Sequence, residues 1–317
     1  MTQIDKSRFE WIGSDSARRE GISRPSTTFW KDAIGRLMKN KVAVVCFFII
    51  VLLILSCIIV PFFSPFESRE QHLGEVNKGF MTVCTDSRYE GQHHVHYFGT
   101  DNLGRDLFLR AFEGGRVSLM IAFAAVFVNL IVGLIYGGIS GYIGGAVDTI
   151  MMRIVEIVNG ILYLIVVILL MMVLPKGIFT MVVAYGITGW TGMARLVRGQ
   201  VLQLKSQEYI VAAEAMGAKS SRIIAKHLIP NALSVIIINV TLAIPSAIFT
   251  EAFLSYIGLG VPVPQPSWGV LAKGGQDVFM TYPYQLVVPA VAISLTMLSF
   301  NLLGDGLRDA FDPRLRR

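Results

Sequence analysis

The stretch Glu208 to Leu233, EYIVAAEAMGAKSSRIIAKHLIPNAL, decides how this chain is read. It is a polar, helix-favouring island set between long apolar segments. Alanines precede Gly217, and Pro230 follows thirteen residues after it, where the next apolar run begins. The pattern predicts two short helices broken at the glycine, where the chain turns through positive φ. Ile210, Ala213 and Met216 share one face before the break, and Ile223, Ile224 and Leu228 form a second apolar face after it. Ser220 or Ser221 is placed to cap the second helix. Lys219, Arg222 and Lys226 are left to solvent or a partner. At a membrane face such a pair makes a knob that another protein can grip. From spacing alone, an amphipathic linker resting on lipid headgroups is the alternative.

Composition sets the surroundings of that island. The 317 residues are 53% hydrophobic and only 16% charged, against roughly 25% charged in soluble domains. A multi-span, all-α membrane protein is expected. The net charge of +6 comes with no basic patch interleaved with aromatics, so nucleic acid is not an expected partner. Basic residues instead flank the apolar runs, where membrane topology places them. Cys46 and Cys57 lie in one apolar run and Cys84 in a polar loop, so neither a disulfide framework nor a CxxC metal site is implied. The first apolar run follows about forty polar residues and has no A-x-A-like exit, which argues against a cleaved signal peptide.

Six spans are expected. Val42 to Val60 is nineteen residues without a charge, closed by Pro61; at a 1.5 Å rise it covers about 28 Å, enough to cross the hydrocarbon core. Val117 to Ile135, Ile150 to Leu174, Leu233 to Phe253 and Leu286 to Leu303 are plain. Ile178 to Val197, with Gly186, Gly189, Gly192 and Trp190, is the least apolar. Residues 1–26 read as a mobile tail. Thr27 or Thr28 is placed to cap a short helix with Trp30, Ile34, Leu37 and Met38 on one face, either an interfacial helix or the basic flank of the first span. Nine Lys and Arg precede Val42, six lie from Arg195 to Lys226 and four follow Asn301. The positive-inside rule then puts both termini and the Glu208 to Pro230 segment in the cytoplasm. The fold of residues 64–96 stays open.

Gly133, Gly137, Gly141 and Gly145 recur every four residues, a smooth groove for a neighbouring backbone. Gly133 and Gly137 are assigned to helix packing, Gly144 and Gly145 to a turn. Glu251, near the far end of the fifth span, is the sharpest intramembrane residue, since a carboxylate there faces a cavity or a partner. With Thr250, Ser246 and Asn239 it forms the candidate translocation path; a structural partner for the arginines between spans one and two is the other reading of Glu251. Asn129, Asn159 and Asn239 are expected to hydrogen-bond between helices, and Arg153 and Glu156 to pair. His93, His94 and His96 read as surface histidines without companion ligands, so no metal site is expected. No nucleophile, acid and base combine into a catalytic site.

The island resembles the EAA loop of ABC importer permeases, whose pattern is an Ala pair, a Gly and a Pro thirteen residues after the Gly. Ala212, Ala213, Gly217 and Pro230 match it; Val211 replaces the usual leading Glu, and His227 the usual Ile. EYxxAA, GA and HxxPNA suit the peptide-transporter branch. Tyr97 to Arg110 (YFGTDNLGRDLFLR), Leu254 to Trp268 (LSYIGLGVPVPQPSW) and the ending GDGLRDAFDPRLR also resemble that family, so the likeness covers nearly everything after residue 28. It implies the C-type subunit of an oligopeptide or dipeptide importer with the type I ABC importer transmembrane fold in a bacterial cytoplasmic membrane. A homologous permease subunit, two cytoplasmic ABC ATPases, an extracellular solute-binding protein and a peptide substrate are the implied partners. The resemblance makes Glu208, Ala212, Ala213, Gly217, Ala218, Arg222, His227 and Pro230 the ATPase-coupling residues. The chain has no G-x-x-x-x-G-K-[ST] loop, so no cofactor is expected on it, and ATP and magnesium are expected on the ATPases.

The division that follows is a tail with an interfacial helix over 1–41, a first span over 42–61, a segment beyond the membrane over 62–115, a permease core over 116–305 holding the loop 205–232, and a C-terminal tail over 306–317. A nickel or other small-solute importer subunit stays open within the class. Outside it, a secondary transporter would more often show repeated halves and charges at midplane, and neither is evident.

Overall fold

A computed structural model describes residues 29–84 and 95–312; Thr27, Thr28, His93, His94 and the last residues of the C-terminal motif lie outside them. The helices are α1 Phe29–Lys39, α2 Lys41–Phe63, α3 Leu107–Ile143, α4 Gly145–Gly160, α5 Tyr163–Val173, α6 Ile178–Thr188, α7 Trp190–Lys205, α8 Glu208–Ala215, α9 Ser220–Ile223, α10 Ile229–Tyr256, α11 Trp268–Asp277 and α12 Tyr284–Phe311. Two two-residue strands, β1 Thr82–Val83 and β2 Val95–His96, pair antiparallel between α2 and α3. Among the described residues four helical stretches are long and apolar enough to cross a membrane: α2, α3, Ile224–Tyr256 and α12; α4 and α5 make a fifth if taken as one broken span.

The expected boundaries shift for identifiable reasons. Pro61 does not close the first span. It sits inside α2, near enough to the end that Ser64 still donates to the Val60 carbonyl at 3.0 Å. The apolar run Val117 to Ile135 is only the middle of α3, whose 37 residues span about 55 Å. Asp106 caps its start, accepting from the Leu109 amide at 2.7 Å. The run Ile150 to Leu174 is not one straight helix. It breaks after Gly160 and bends by 80°, with Ile161 and Leu162 in extended backbone. Ile178 to Val197 is likewise two helices, α6 and α7, meeting at Gly189.

α2, α3, α10 and α12 enclose the main core around Ile50, Leu119, Ile248 and Phe300. In α12, Gly306 admits Ala43 of α2; a Cβ there would lie 2.4 Å from the Ala43 methyl. The seam between α3 and α7 is closer. A Cβ at Gly133 would lie 2.6 Å from Met193 Cβ, at Gly137 2.3 Å from the Ala194 carbonyl oxygen, and at Gly141 2.9 Å from the Arg198 carbonyl oxygen. The fourth glycine of the series, Gly145, opens α4 at φ +57°, beside the connecting Gly144 at +71°. Asp148 of α4 locks the same corner, accepting from Arg198 Nε and Nη2 at 2.5 Å each and from Ser140 Oγ at 2.5 Å.

The segment between α2 and α3 is ordered by polar groups. Asp101 accepts from the amides of Leu103 and Arg105 and from Arg105 Nε at 2.7 Å. Arg110 donates to the Ser68 carbonyl at 2.8 Å. Gly104, at φ +73°, leaves no room for a side chain, because a Cβ would sit 1.9 Å from the His72 carbonyl oxygen.

Gly137→Ala places a methyl against backbone that cannot yield without moving α7. It should destabilise the chain by about 1–3 kcal/mol. The adjacent Gly138→Ala meets only an Ile224 methyl at 3.6 Å and should be neutral. The thermal midpoints of the detergent-purified variants test this; equal midpoints would refute the close seam.

Candidate functional site

The island after α7 folds as two short helices about a left-handed glycine. α8 ends at Ala215, Ala218 donates back to the Ala213 carbonyl at 3.1 Å, and Gly217 turns at φ +78°. Nothing within 4 Å would obstruct a Cβ there, so the glycine answers to backbone conformation and not to space. The second helix starts at Ser220 itself. The Lys219 carbonyl accepts from Ile223 at 3.0 Å, so Lys219, and neither serine, holds the cap position. Ile224–Leu228 widens into a π turn. Pro230 follows, lacking the N–H an α-helix needs there and carrying a ring that would clash four residues back. Asn231 Nδ2 donates to the His227 carbonyl at 2.6 Å.

One side of this knob is anchored. Ile210, Ile223 and Leu228 are fully buried against Val197 and Val201 of α7 and Ala232 and Ile236 of α10, with Ala213 buried beside them. Met216 does not join that face. Helix α8 has ended before it, and it stands 82% exposed. Glu208, Tyr209, Val211, Ala212, Ala215, Lys219, Arg222 and Lys226 are exposed around it, Pro230 is exposed, and Ala218 and His227 are half-buried. The result is an exposed apolar projection, with exposed charged residues in the same segment, on a buried seat.

The candidate path residues do not gather in one place. Asn239, Ser246 and Thr250, seven and four residues apart, share a stripe of α10; Ser246 is exposed, and Thr250 Oγ1 donates to its carbonyl at 2.7 Å. Asn239 lines a cavity of about 520 Å³ with Arg308 and Asp312. Glu251 turns away, 1% exposed. Among the described residues no arginine pairs with it. Ser255 Oγ donates to its Oε1 at 2.7 Å and accepts from the Val261 amide at 3.4 Å. Ser118 and Ser267 approach the same carboxyl, though neither gives Oε2 a partner of full hydrogen-bond geometry. Trp268, buried alongside, donates from Nε1 to the Ala111 carbonyl at 2.9 Å and from its amide to Ser118 Oγ at 3.2 Å. Glu251 therefore pins the loop after α10 onto α3. The spacing of Ser255 four residues on was the visible signal for this role; Ser118 and Ser267 were too distant in sequence to suggest it.

Of the three asparagines, Asn159 bonds between helices, accepting from Thr191 at 3.3 Å. Asn239 instead donates to the Val235 carbonyl of its own helix at 3.3 Å. Asn129 packs on Gly189, where a Cβ would lie 2.4 Å from its Nδ2, and its Oδ1 accepts nothing among the described residues. Arg153 and Glu156 pair at 2.7 Å on an exposed face. His96 is not a surface residue. It is fully buried between Asp106, 2.7 Å from Nδ1, and Glu75, 3.0 Å from Nε2. Burial alone would lower its pKa, but the hydrogen bonds and charges of the two carboxylates outweigh burial and raise it.

Comparison with known proteins agrees along the whole chain. Residues 129–317 match the model of the binding-protein-dependent transport system inner membrane component family, and residues 28–79 that of the N-terminal TM domain of oligopeptide transport permease C. The chain is 48% identical over 317 residues to the oligopeptide transport system permease protein OppC of Bacillus subtilis (strain 168), covering 100% of both. It is 47% identical over 299 residues to the dipeptide transport system permease protein DppC of that strain, covering 94% of this chain and 90% of the relative. With OppC of Escherichia coli (strain K12) the identity is 41% over 313 residues, 99% of each. Among solved structures, a chain of the MetNI methionine ABC transporter is 22% identical over 62% of this chain and 94% of its own length, with a TM-score of 0.49, too slight a likeness to build on.

Glu251→Leu removes the acceptor for Ser255 and should loosen the 257–267 loop, at a cost of about 1–3 kcal/mol. Glu251→Gln keeps that acceptor and should hold the loop. Limited proteolysis of the purified variants reads the difference; equal cleavage of both would remove Glu251 from the role of a loop pin.

Proposed function

The chain belongs to the binding-protein-dependent transport system inner membrane component family, and from that premise we propose that it is the C-type permease subunit of an ATP-driven oligopeptide or dipeptide importer. It is a multi-pass protein of the bacterial inner membrane and a transport subunit, not an enzyme. The names of its full-length relatives support peptide as cargo over nickel or another small solute.

The observation that carries the coupling role is the knob: an exposed apolar tip at Val211, Ala212, Ala215 and Met216, with Arg222 and Lys226 beside it, on a fully buried seat. Exposed apolar groups ringed by charge are the anatomy of a docking surface. In this reading six crossings put both termini and the knob in the cytoplasm, with Ile178 to Val197 as the fourth. Two ATPases hold ATP and magnesium; one grips this knob, and the other grips its counterpart on a homologous permease subunit. An extracellular binding protein delivers the peptide, and Asn239, Ser246 and Thr250 face the path between the two permeases.

The tip and the seat separate cleanly by mutation. Gly217→Asp strains the turn and adds a charge at the contact, and Met216→Glu adds a charge while leaving the fold intact. Both should lower ATPase recovered with the tagged chain about tenfold or more, as for a contact worth at least about 1.4 kcal/mol. Ile223→Asp, in the seat, should instead destabilise the chain itself. Pull-down from native membranes with quantification of the ATPases tests this. Wild-type recovery with both tip variants would end the coupling assignment, and a homo-oligomer without any ATPase would end the importer reading.

A further inference from the structure

Glu75, Cys84 and His96 offer a carboxylate oxygen, a thiol sulfur and an imidazole nitrogen that all lie within 4.8 Å of one another. Three separate pieces of chain bring them there. Glu75 ends the 3₁₀ turn Leu73–Glu75, Cys84 follows β1, and His96 ends β2. In the sheet register His96 sits opposite Thr82. Cys84, two residues beyond Thr82, therefore falls on the same face as His96, on the diagonal.

We propose that this cluster is a zinc site clipping β1, β2 and the 3₁₀ turn to the start of α3. Nitrogen, sulfur and oxygen donors are each ones zinc accepts, and three protein ligands leave the fourth tetrahedral position to water. Bonds of about 2.0–2.3 Å around a tetrahedral ion set ligand atoms roughly 3.3–3.8 Å apart; the 3.0 Å between His96 Nε2 and Glu75 Oε2 opens by a few tenths of an ångström, and the Cys84 sulfur, within 4.8 Å of both, closes by up to about an ångström. The outer support is already in place. Asp106 Oδ1 lies 2.7 Å from His96 Nδ1; accepting the proton of that nitrogen, it turns the Nε2 lone pair toward Glu75. Such carboxylate–histidine pairs orient metal-ligating imidazoles. With zinc bound, Nε2 and the Glu75 carboxylate would both face the ion instead of each other. A divalent ion also balances the charge of one carboxylate and one thiolate. Phe66 stacks on the imidazole with ring centres 4.5 Å apart, closing one side with apolar surface. Asp106 is at once the His96 partner and the cap of α3, so the metal would tie the sheet to that helix through a single side chain.

The test uses the full chain, purified with its complex in detergent on a tag without histidine, stripped with chelator and titrated with zinc against a chromogenic competitor. Cobalt serves as a second probe, read by its thiolate-to-metal charge-transfer absorbance. One equivalent of zinc per chain is expected, with a thiolate band on cobalt. Cys84→Ser should abolish the band and weaken zinc binding about 100-fold or more; Glu75→Gln should weaken it about 10-fold or more while keeping the band. Cys57→Ser, in α2, should change neither. No stoichiometric zinc in a monodisperse complex, or equal binding by Cys84→Ser, would overturn the site; in the second case the metal would be bound by histidines elsewhere.

Discussion

The contact on which the rest of the structure depends is the approach of α3 to α7 along Gly133, Gly137 and Gly141. Within a bilayer apolar side chains gain little by facing each other instead of lipid, so close backbone packing must supply the attraction. Any side chain at Gly137 would sit on the Ala194 carbonyl, so the two helices touch backbone to backbone. That contact positions α7, and the bidentate Arg198 to Asp148 pair ties α4 to the same corner. Val197 and Val201 of α7 then become the floor on which Ile210, Ile223 and Leu228 are buried. The knob owes its rigidity to a glycine seam some 70 to 90 residues earlier in the chain.

At the other end of α10, polar groups do the corresponding work. A buried carboxylate in a span is costly unless its hydrogen bonds are met. Glu251 takes a hydroxyl from Ser255, which in turn holds the Val261 amide. Trp268 closes the loop against α3 through its indole and its amide. Glu251 thus helps fix a long loop to two helices. The polar stripe of Asn239, Ser246 and Thr250 lies elsewhere on the helix surface.

How much of this was legible follows from the range of each signal. A four-residue glycine period, an alanine pair before a glycine and a proline thirteen residues on are local patterns, and they mark the seam, the two short helices and the positive-φ turn. Features set by an end or a bend escaped periodicity. Met216 has the spacing of Ile210 and Ala213, but the helix stops one residue before it, so its side chain leaves the shared face. Ile150 to Leu174 is apolar throughout, and composition carries no trace of the 80° bend after Gly160. Contacts between distant residues were invisible. His96 read as part of a surface cluster because its partners are twenty-one residues before it and ten after, joined only once the segment between α2 and α3 folds.

From Ser220 to Tyr256 the backbone is helical without a break, changing only from α to π and back. A π turn is a place where such a rod can kink. Here it lies between a knob seated on α7 and a helix fixed at its far end by Glu251 and Ser255. A force applied to the tip of the knob therefore has two outlets. It can lift Ile210 and Ile223 from their buried seat, losing most of the apolar burial that holds the knob, or it can tilt α10 about the π turn while the seat stays closed. Full burial of the seat makes the first outlet costly, and Pro230, by removing one backbone hydrogen bond at the turn, makes the second cheap. Motion at the tip of the knob is thus carried into the span that bears Asn239, Ser246 and Thr250.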